Sequence, residues 1–380
     1  MEFDIVFSNG ARENISRCEQ YLNNIPAVGF AKGILTDQYL NNINGKPNDI
    51  PEDVWNTMSM ELMDYLRELV TQIHYDIIQI EHSQLSWIVP ELRTLSPESI
   101  FVLDSHNIEY RKFETWMPYA KPDEAQHISE QLSEMKAWEE RMWQWYDAAI
   151  SISAEECGIL KSGGLRRVAT VPTGGGVDLN KYAPEKMIEK PIDILYIGTM
   201  NWYPNAHGLR WFIEKVIPLI ERERPGTVFH VVGSGKPETE FLNTLKADVP
   251  VKFWGFQGDD AWFLHRAKVF VIPLWIGAGA RVKLITAWGA GTPVVSTTFG
   301  AEGSDARDGE NILLADDPQA FADSVLRLLN DRKYGENIAH AAFETVREKY
   351  TVERCADMLI VFTGTWQRRT EGIAVCPNRA

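Results

Sequence analysis

The sequence predicts an α/β protein built from two doubly wound, Rossmann-like domains. Three observations support this prediction: strand-like and helix-like segments alternate along the whole chain, polar residues follow several predicted strands, and a polar, proline-flanked stretch interrupts the pattern near the middle. Such alternation is typical of parallel sheets covered by helices. Polar residues at the carboxyl ends of parallel strands point into the ligand crevice of these folds.

Composition restricts the classes of partner. The 380 residues are 44% apolar, include 13 Trp and carry a net charge of −15, which suits two globular domains with substantial cores. Because the sequence contains no long basic run, nucleic acid is excluded as the main partner, although a local cationic pocket can still bind a nucleotide. The cysteines are scattered and predict reduced thiols rather than a zinc site or disulfides; they are Cys18, Cys157, Cys355 and Cys376.

Targeting signals are likewise missing from the sequence. No apolar run approaches the roughly 20 residues needed to span a bilayer, so we expect no integral membrane segment. The N-terminal stretch MEFDIVFSNGARENIS lacks the basic and apolar regions of a secretory signal. These observations favour a cytoplasmic protein.

The first predicted domain covers residues 1–185. Its predicted strands are apolar runs that end in polar residues, and a long helical stretch, Asp123–Tyr146, lies among them. The strands are Tyr75–His82, Ser99–Asn107, Asp147–Ser153 and Val168–Asp178. The opening residues FDIVFSNG can form a strand and turn, but the NGARENIS that follows is not the usual glycine loop of a nucleotide-binding unit.

The polar stretch Ala183–Pro191 predicts a linker between the two domains. The second predicted domain covers residues 186–349. Residues 350–380 are predicted to form a C-terminal helix and tail that can return to the first domain. Apolar residues at helical spacing run from His207 to Ile220, and Asp317 with Pro318 begins another helix. The predicted strands are Asp193–Met200, Thr227–Gly235, Val251–Phe256, Lys268–Leu274 and Asn311–Asp316.

The most informative stretch is Gly277–Thr297, GAGARVKLITAWGAGTPVVST. It predicts a glycine turn, a short helix and, after a Gly-Thr-Pro break, a buried strand. The N-terminus of a helix offers free N–H groups and a positive dipole end to an anion. Arg281 and Lys283 on the first turn add the charge that a diphosphate needs. The alternative interpretation is an ordinary helix with solvated basic residues.

The Gly277–Thr297 stretch and the segments around it resemble a known protein family. The second half resembles the C-terminal domain of the retaining group-1 nucleotide-sugar glycosyltransferases, which have the GT-B fold of two Rossmann-like domains facing a central cleft. The matching pieces are DILYIGTMNWYPN, FHVVGSG, VKFWGFQGD, VFVIPLWIGAGARVKLITAWGAGTPVVST and DGENILLADDPQAFADSVLRLLND. The first half resembles the family more weakly, through LDSHNIEY, RMWQWYDAAISIS and VPTGGGVDLNKYAP.

The chain departs from the family pattern in two places. The family helix carries a glutamate, which holds the donor ribose, where this chain has Thr286, and its partner position eight residues earlier is Ala278. A threonine can hydrogen-bond a hydroxyl without charge assistance, so we expect weaker or altered donor binding. The chain also lacks a convincing copy of the strand–loop–helix unit with which family members begin, so the N-terminal domain is either trimmed or diverged.

The resemblance implies roles for individual residues. Arg281 and Lys283 would contact the diphosphate, and His106 would be the catalytic-region histidine facing the donor sugar, although it can instead cap a strand end. The implied donor-binding residues are Thr199, Asn205, Phe256, Gly279, Ala280 and Thr286, with a core aromatic as the alternative for Phe256. Glu81, Asp104 and Glu109 are candidates for meeting an acceptor hydroxyl. Trp138, Trp143 and Trp145 are interpreted as helix packing rather than a sugar platform.

The resemblance thus implies a retaining glycosyltransferase whose donor is a nucleoside-diphosphate sugar and whose acceptor is a saccharide, a lipid-linked glycan, a small molecule or a protein. Helix dipole and cations would stabilise the leaving diphosphate. Because no Asp-x-Asp or His cluster stands out, we predict neither a metal site nor a cofactor. A retired homologue that binds a nucleotide or a protein without turnover is the alternative; a sugar-nucleotide epimerase would need acid/base carboxylates that the sequence does not identify.

Overall fold

The computed structural model describes residues 3–9, 12–35, 45–172, 176–184, 189–235, 250–279 and 281–370, with side chains up to residue 364. The chain folds into two compact units. The first consists of Met1–Ser151 and Glu156–Ala169, and the second of Ile152–Glu155 and Thr170–Ala380. The division between the units thus precedes residues 170–185, which the sequence analysis assigns to the first domain, and the C-terminal helix groups with the second unit.

The first unit contains a four-stranded sheet in the order β3-β4-β5-β6, in which β3, β4 and β5 run parallel. A separate parallel pair, β1-β2, precedes it in the chain. The strands are β1 (Phe3–Asn9), β2 (Val28–Leu35), β3 (Ile77–Glu81), β4 (Ile100–Ser105), β5 (Ala148–Ser151) and β6 (Val168–Thr170). The helices are α1 (Arg12–Leu22), α2 (Glu52–Trp55), α3 (Met60–Gln72), α4 (Val89–Leu95), α5 (Glu109–Trp116), α6 (Ala125–Met142) and α7 (Ala154–Ser162).

The N-terminal residues form a strand, a helix and a second strand parallel to the first, which together make a β-α-β unit. β1 covers FDIVFSN, and the Tyr75 hydroxyl donates a 2.7 Å hydrogen bond to the Asp4 carboxylate. Asn23 ties α1 to β2, because its side chain accepts from the Ala31 N–H at 2.7 Å and donates to the Ala31 carbonyl at 3.1 Å.

A buried carboxyl group organises the helical layer of the first unit. Glu139 on α6 is fully buried; it accepts from the backbone N–H groups of Glu109 and Tyr110 at 3.1 and 2.9 Å and from the Ser83 hydroxyl at 2.7 Å. It therefore caps α5, which lacks a capping side chain of its own. Burial raises the pKa of Glu139 to about 8.

Two of the three tryptophans interpreted as helix packing lie in the core of this layer. Trp138 and Trp143 are 4% and 2% exposed and belong to the core of the first unit, whereas Trp145 is half exposed. The long helical stretch predicted at Asp123–Tyr146 is α6 followed by a 3₁₀ turn, Trp143–Trp145.

The second unit contains a six-stranded sheet in the order β12-β11-β10-β7-β8-β9, parallel throughout. The chain fills one half of the sheet and then returns to the other side of β7, so the sheet is doubly wound. Its strands are β7 (Ile192–Ile197), β8 (Phe229–Val232), β9 (Val251–Gly255), β10 (Ala267–Ile272), β11 (Val294–Ser296) and β12 (Leu313–Leu314).

Helices cover the two faces of this sheet and bury two apolar clusters against it. The helices of the second unit are α8 (Leu179–Tyr182), α9 (Tyr203–Trp211), α10 (Ile217–Glu223), α11 (Asp260–Arg266), α12 (Val282–Gly289), α13 (Pro318–Asn330), α14 (Arg332–Lys349) and α15 (Val352–Thr370). A π-helical turn, Phe212–Val216, joins α9 to α10. The sequence-predicted fold class is confirmed by these two parallel-sheet units. Among the residues described, no helix is both long and apolar enough to cross a membrane.

The carboxyl ends of β7 and β8 approach each other closely after the strands end. Gly233 has φ +144°, and a Cβ on it would lie 1.9 Å from the Gly198 carbonyl oxygen. Only glycine has the conformational freedom and the absence of a side chain that this approach requires. The polar residues that follow both strands are thereby brought together.

We predict that Gly233→Ala destabilises the protein by at least about 2 kcal/mol, because backbone strain adds to an overlap with another backbone atom. Chemical denaturation monitored by circular dichroism measures the change. The matched control is Gly226→Ala, at φ +82° with open space around its Cβ position, which adds strain alone. Equal losses of stability for the two variants would contradict the close approach.

Candidate functional site

Lys283 lies at the centre of a polar network in the second unit. Its ammonium group donates to the Asn205 side-chain oxygen at 2.9 Å, and Asn205 in turn donates to the Thr199 carbonyl at 3.0 Å. The ammonium group also lies 4.8 Å from the centroid of the Tyr196 ring. The network brings together Lys283, Asn205 and Thr199, three of the sequence-predicted site residues, at the carboxyl end of β7.

The environment of Lys283 disfavours its charged form. Burial of the side chain, followed by repulsion from the Arg281 guanidinium, lowers the pKa of Lys283 to about 7. No carboxylate is hydrogen-bonded to its ammonium group among the residues described. An anion placed beside this group would favour the protonated form and would itself be bound by it.

Arg281 holds the glycine turn that precedes α12. The guanidinium is buried and donates to the carbonyl oxygens of Phe299 and Gly279 at 3.2 and 3.1 Å, with the Glu302 carboxylate 3.7 Å away. These contacts fix the turn, in which Gly277 and Gly279 have φ values of +138° and +86°. The structure thus gives Arg281 a backbone-binding role that the sequence analysis did not include. Ala280 lies outside the described residues.

The remaining donor-binding candidates differ in exposure. Thr286 is buried, and its hydroxyl donates to the Val282 carbonyl at 2.8 Å within α12. Phe256 follows the end of β9 and is 76% exposed, so the core-aromatic alternative does not hold for it. Gly233 accounts for the convergence of strand ends here, and Ser234 beside it donates to the Thr199 hydroxyl at 3.3 Å.

A second group of candidates lies in the first unit, where β3 and β4 end. The Nε2 atom of His106 lies 2.5 Å from a Glu81 carboxylate oxygen, and this hydrogen bond is the main cause that raises the pKa of His106. Although burial opposes the change, the hydrogen bonds from His106 and Gln79 lower the pKa of Glu81. The pairing therefore favours the charged form of each group.

Asp104 and His82 complete this group. Burial and the neighbouring Glu81 charge raise the pKa of Asp104 to about 6. His82, which the sequence analysis did not select, stacks on His106 with ring centroids 4.2 Å apart and has φ +67°. A residue other than glycine is uncommon at a positive φ, and such strained positions are concentrated at functional sites. Burial, together with the His106 charge, lowers the pKa of His82.

Glu109 differs from the other acceptor-binding candidates. It is 6% exposed, and burial raises its pKa, with the Lys112 charge and side-chain hydrogen bonds to Gln84 and Asn107 acting in the opposite direction. Its backbone N–H is one of the two capped by Glu139. The structure therefore places Glu109 in the buried start of α5, whereas Glu81 and His106 are partly exposed.

Glu81, Asp104 and His106 each offer a ligand atom, and these atoms lie within 4.8 Å of one another. Carboxylate oxygens and an imidazole nitrogen are donors that divalent cations use. No metal site is predicted from the sequence, which shows no Asp-x-Asp or His cluster. The pairing of β3 with β4 brings these three residues together in the fold. The absence of a metal stays a prediction, to be tested by chelation.

Comparisons with known proteins identify glycosyltransferases among the proteins that this chain resembles, and the family match lies in the second unit. A family model described as "Glycosyl transferases group 1" matches residues 191–331. The chain is 29% identical over 176 residues to the lipopolysaccharide core biosynthesis glycosyltransferase LpsE of Rhizobium meliloti, covering 45% of this chain and 50% of LpsE. It is 23% identical over 217 residues to an uncharacterized 44.6 kDa protein in the cps region of Klebsiella pneumoniae, covering 54% and 53%. The chain spans about half the length of these curated relatives.

Solved structures resemble nearly the whole chain. Sucrose-phosphate synthase from Thermosynechococcus elongatus has a TM-score of 0.69 at 15% identity, covering 98% of this chain and 100% of that one. Anabaena HepE in complex with UDP has a TM-score of 0.62 at 12% identity, covering 96% and 100%. At this level of identity the likeness shows the fold, which is the GT-B fold.

We predict that Glu81→Gln lowers the pKa of His106, because the neutral amide no longer stabilises the imidazolium. A histidine whose pKa is raised in the folded state adds stability below its unfolded value of about 6.5, and this stability is lost as the pH rises through the folded pKa. NMR titration of His106 measures the change. Glu98→Gln is the control; an unchanged His106 pKa in Glu81→Gln would contradict the pairing.

Proposed function

We propose that the protein is a glycosyltransferase that moves a sugar from a nucleoside-diphosphate donor to an acceptor hydroxyl, with retention of configuration and without a metal. The observation that carries this proposal is Lys283, a desolvated cation beside the glycine turn and the converging strand ends. The family match over residues 191–331 and the name of LpsE support the same reaction class.

In this proposal the diphosphate lies at the start of α12, beside the Lys283 ammonium group. The ammonium group neutralises charge as the glycosidic oxygen departs, and the helix N-terminus adds its dipole. Arg281 supports the turn through its carbonyl contacts. Asn205 orients the lysine through its 2.9 Å hydrogen bond, so that the cation is positioned before the donor binds.

Uridine nucleotides are the first donors to test. HepE is described in complexes with UDP, with UDP and glucose, and with UDP-glucose, and a mutant of S. aureus TarM, another similar structure, is described in a complex that includes UDP. In this chain the exposed Phe256 ring, next to Gly255, is the group we assign to the nucleobase. Its exposure offers an aromatic face for stacking.

We assign the first-unit group to the transferred sugar and the acceptor. His106, whose protonated form is favoured by Glu81, would contact the sugar. The carboxyl group of Asp104, with its pKa raised to about 6, can accept a hydrogen bond from an acceptor hydroxyl at neutral pH. No carboxylate nucleophile is needed when a donor phosphate oxygen accepts the acceptor's proton.

Two observations favour the alternative of a non-catalytic homologue that binds a nucleotide or a protein. The Thr286 hydroxyl already donates to a carbonyl of its own helix, and the Arg281 guanidinium is engaged by backbone carbonyls. The donor ribose and diphosphate would then have fewer charged partners than in the family pattern. A turnover assay separates the two functions.

Lys283→Met should weaken UDP binding by about 1.5–3 kcal/mol, the range of a hydrogen bond to a charged group. Because a diphosphate raises the lysine pKa from about 7, binding should take up a proton. The dissociation constant should therefore rise by up to about tenfold per pH unit above pH 7. Calorimetry at several pH values and in buffers of different ionisation enthalpy measures both effects.

The control for this experiment is Lys215→Met, an exposed lysine of the π-helical turn. The control should retain the parent's affinity and proton uptake, and Lys283→Met should show neither the lysine's proton uptake nor its pH dependence. If Lys283→Met binds UDP as tightly as the parent, with the same pH profile, the diphosphate lies elsewhere.

Incubation with UDP-, GDP-, ADP- and dTDP-sugars and a panel of saccharide acceptors should release nucleoside diphosphate, and excess EDTA should leave the rate unchanged. NMR of the product should show the donor's anomeric configuration. Loss of turnover in EDTA, with recovery on adding a divalent cation, would contradict metal independence. If no combination of donor and acceptor releases nucleoside diphosphate, although UDP still binds, the non-catalytic alternative is favoured.

A further inference from the structure

A cavity of about 700 Å³ lies in the second unit at the amino ends of three adjacent strands. Lys190 and Pro191 directly precede β7, Lys268 is the second residue of β10, and Pro293 directly precedes β11. Helices α13 and α14 close the other side. A volume of this size is within the range of small-molecule sites.

Charged groups of both signs face this cavity, and most of them are paired. Lys190, Lys268 and Arg332 line it together with Glu189 and Glu336. Lys268 is paired with Asp193 at 2.6 Å, and Arg332 with Glu336 at 2.8 Å. Lys190 has no hydrogen bond or ion pair within 4.0 Å to any residue that the structure describes, which leaves its ammonium group available to a bound anion.

The environment of Lys190 makes an anion favourable there. Its side chain is partly buried, and burial lowers the pKa of its ammonium group, with Glu336 and Arg332 as the nearby charges acting in opposite directions. A cation held in this state gains from a negatively charged partner both by direct attraction and by recovery of its protonated form.

The rest of the wall is apolar. It is formed by Pro191, Pro293, Leu328, Leu329 and Ala339. On α14, Gly335 is buried and lines the cavity one helical turn before Ala339, and a Cβ on it would meet nothing closer than 3.7 Å. The ligand that matches this wall therefore has an apolar body as well as a charge.

We propose that this cavity is a second binding site, for a small anionic amphiphile whose acidic group pairs with Lys190 and whose apolar body packs against the walls from α13 and α14. The site is distinct from the proposed nucleotide site, which lies at the carboxyl ends of the same strands. The six residues of β7 separate the two edges of the sheet by about 20 Å. Both sites can therefore be occupied at the same time.

The test is a fluorescence titration of the full chain with 1-anilinonaphthalene-8-sulfonate, an aromatic body with one sulfonate. Lys190→Met removes the charge and retains most of the apolar stem, and Gly335→Leu fills the cavity from α14. The matched controls are Lys333→Met, an exposed lysine on α14, and Gly158→Leu, an exposed helical glycine with open space around it. Circular dichroism checks that each variant folds.

We expect one site per chain in the parent and both controls, with Lys190→Met raising the dissociation constant about tenfold or more. Gly335→Leu should abolish the signal. Millimolar octanoate should displace the probe, whereas inorganic phosphate and UDP should not. The proposal is overturned if Lys190→Met titrates like the parent, if UDP displaces the probe, or if phosphate displaces it and octanoate does not. If Gly335→Leu does not fold, Lys190→Met and the competition still decide.

Discussion

The approach of Gly233 to the Gly198 carbonyl is the contact on which the arrangement of the second unit's polar residues depends. In a parallel sheet, neighbouring strands normally keep their chains apart by the hydrogen-bonding distance, roughly 4.8 Å. Past the ends of β7 and β8 the two chains come closer than any side chain permits. Thr199 and Ser234 are brought into contact as a result, and Asn205 on α9 reaches back to the same turn.

The constraint extends to the charge of the site. A Cβ on Gly198 would lie 3.2 Å from the Lys283 ammonium nitrogen, so the small residue also leaves room for the lysine. Burial of the lysine and the neighbouring Arg281 charge lower the lysine's pKa. The hydrogen bonds from Lys283 to Asn205 and from Asn205 to the Thr199 carbonyl hold the lysine in one place, as preorganised electrostatic stabilisation requires.

Much of the architecture could be predicted from the sequence, since strand periodicity, turn glycines and the Asp317–Pro318 helix start are local signals. The predicted Lys268–Leu274 strand is β10, within two residues at each end, and α13 begins at Pro318. Predicted Asn311–Asp316 contains only the two residues of β12, because strand length there depends on pairing with β11. The GT-B fold was available through the motif order, rather than through periodicity.

The side-chain partners could not be predicted in the same way. Lys283 and Asn205 are 78 residues apart, and only the sheet order brings their elements together. The sequence presented Arg281 as a free cation, whereas three backbone carbonyls accept from its guanidinium. His82 could have been noticed as the polar residue that directly follows a strand. Its positive φ and its stacking on His106 are properties of the backbone path alone.

The π-helical turn between α9 and α10 has a consequence for how the chain tolerates changes in length. Pro218 lies in the first turn of α10 and has no backbone N–H to donate. In a continuous α-helix its ring would clash with the carbonyl four residues earlier, and the wider π-helical turn relieves this clash. Its hydrogen bonds join residues five apart rather than four apart, so the turn contains one residue more than an α-helical turn. Loss of one residue from a regular α-helix rotates everything that follows by about 100°. Here the extra residue of the π turn can absorb such a loss and keep Ile217 and Ile220 in the core, but only by restoring the clash at Pro218.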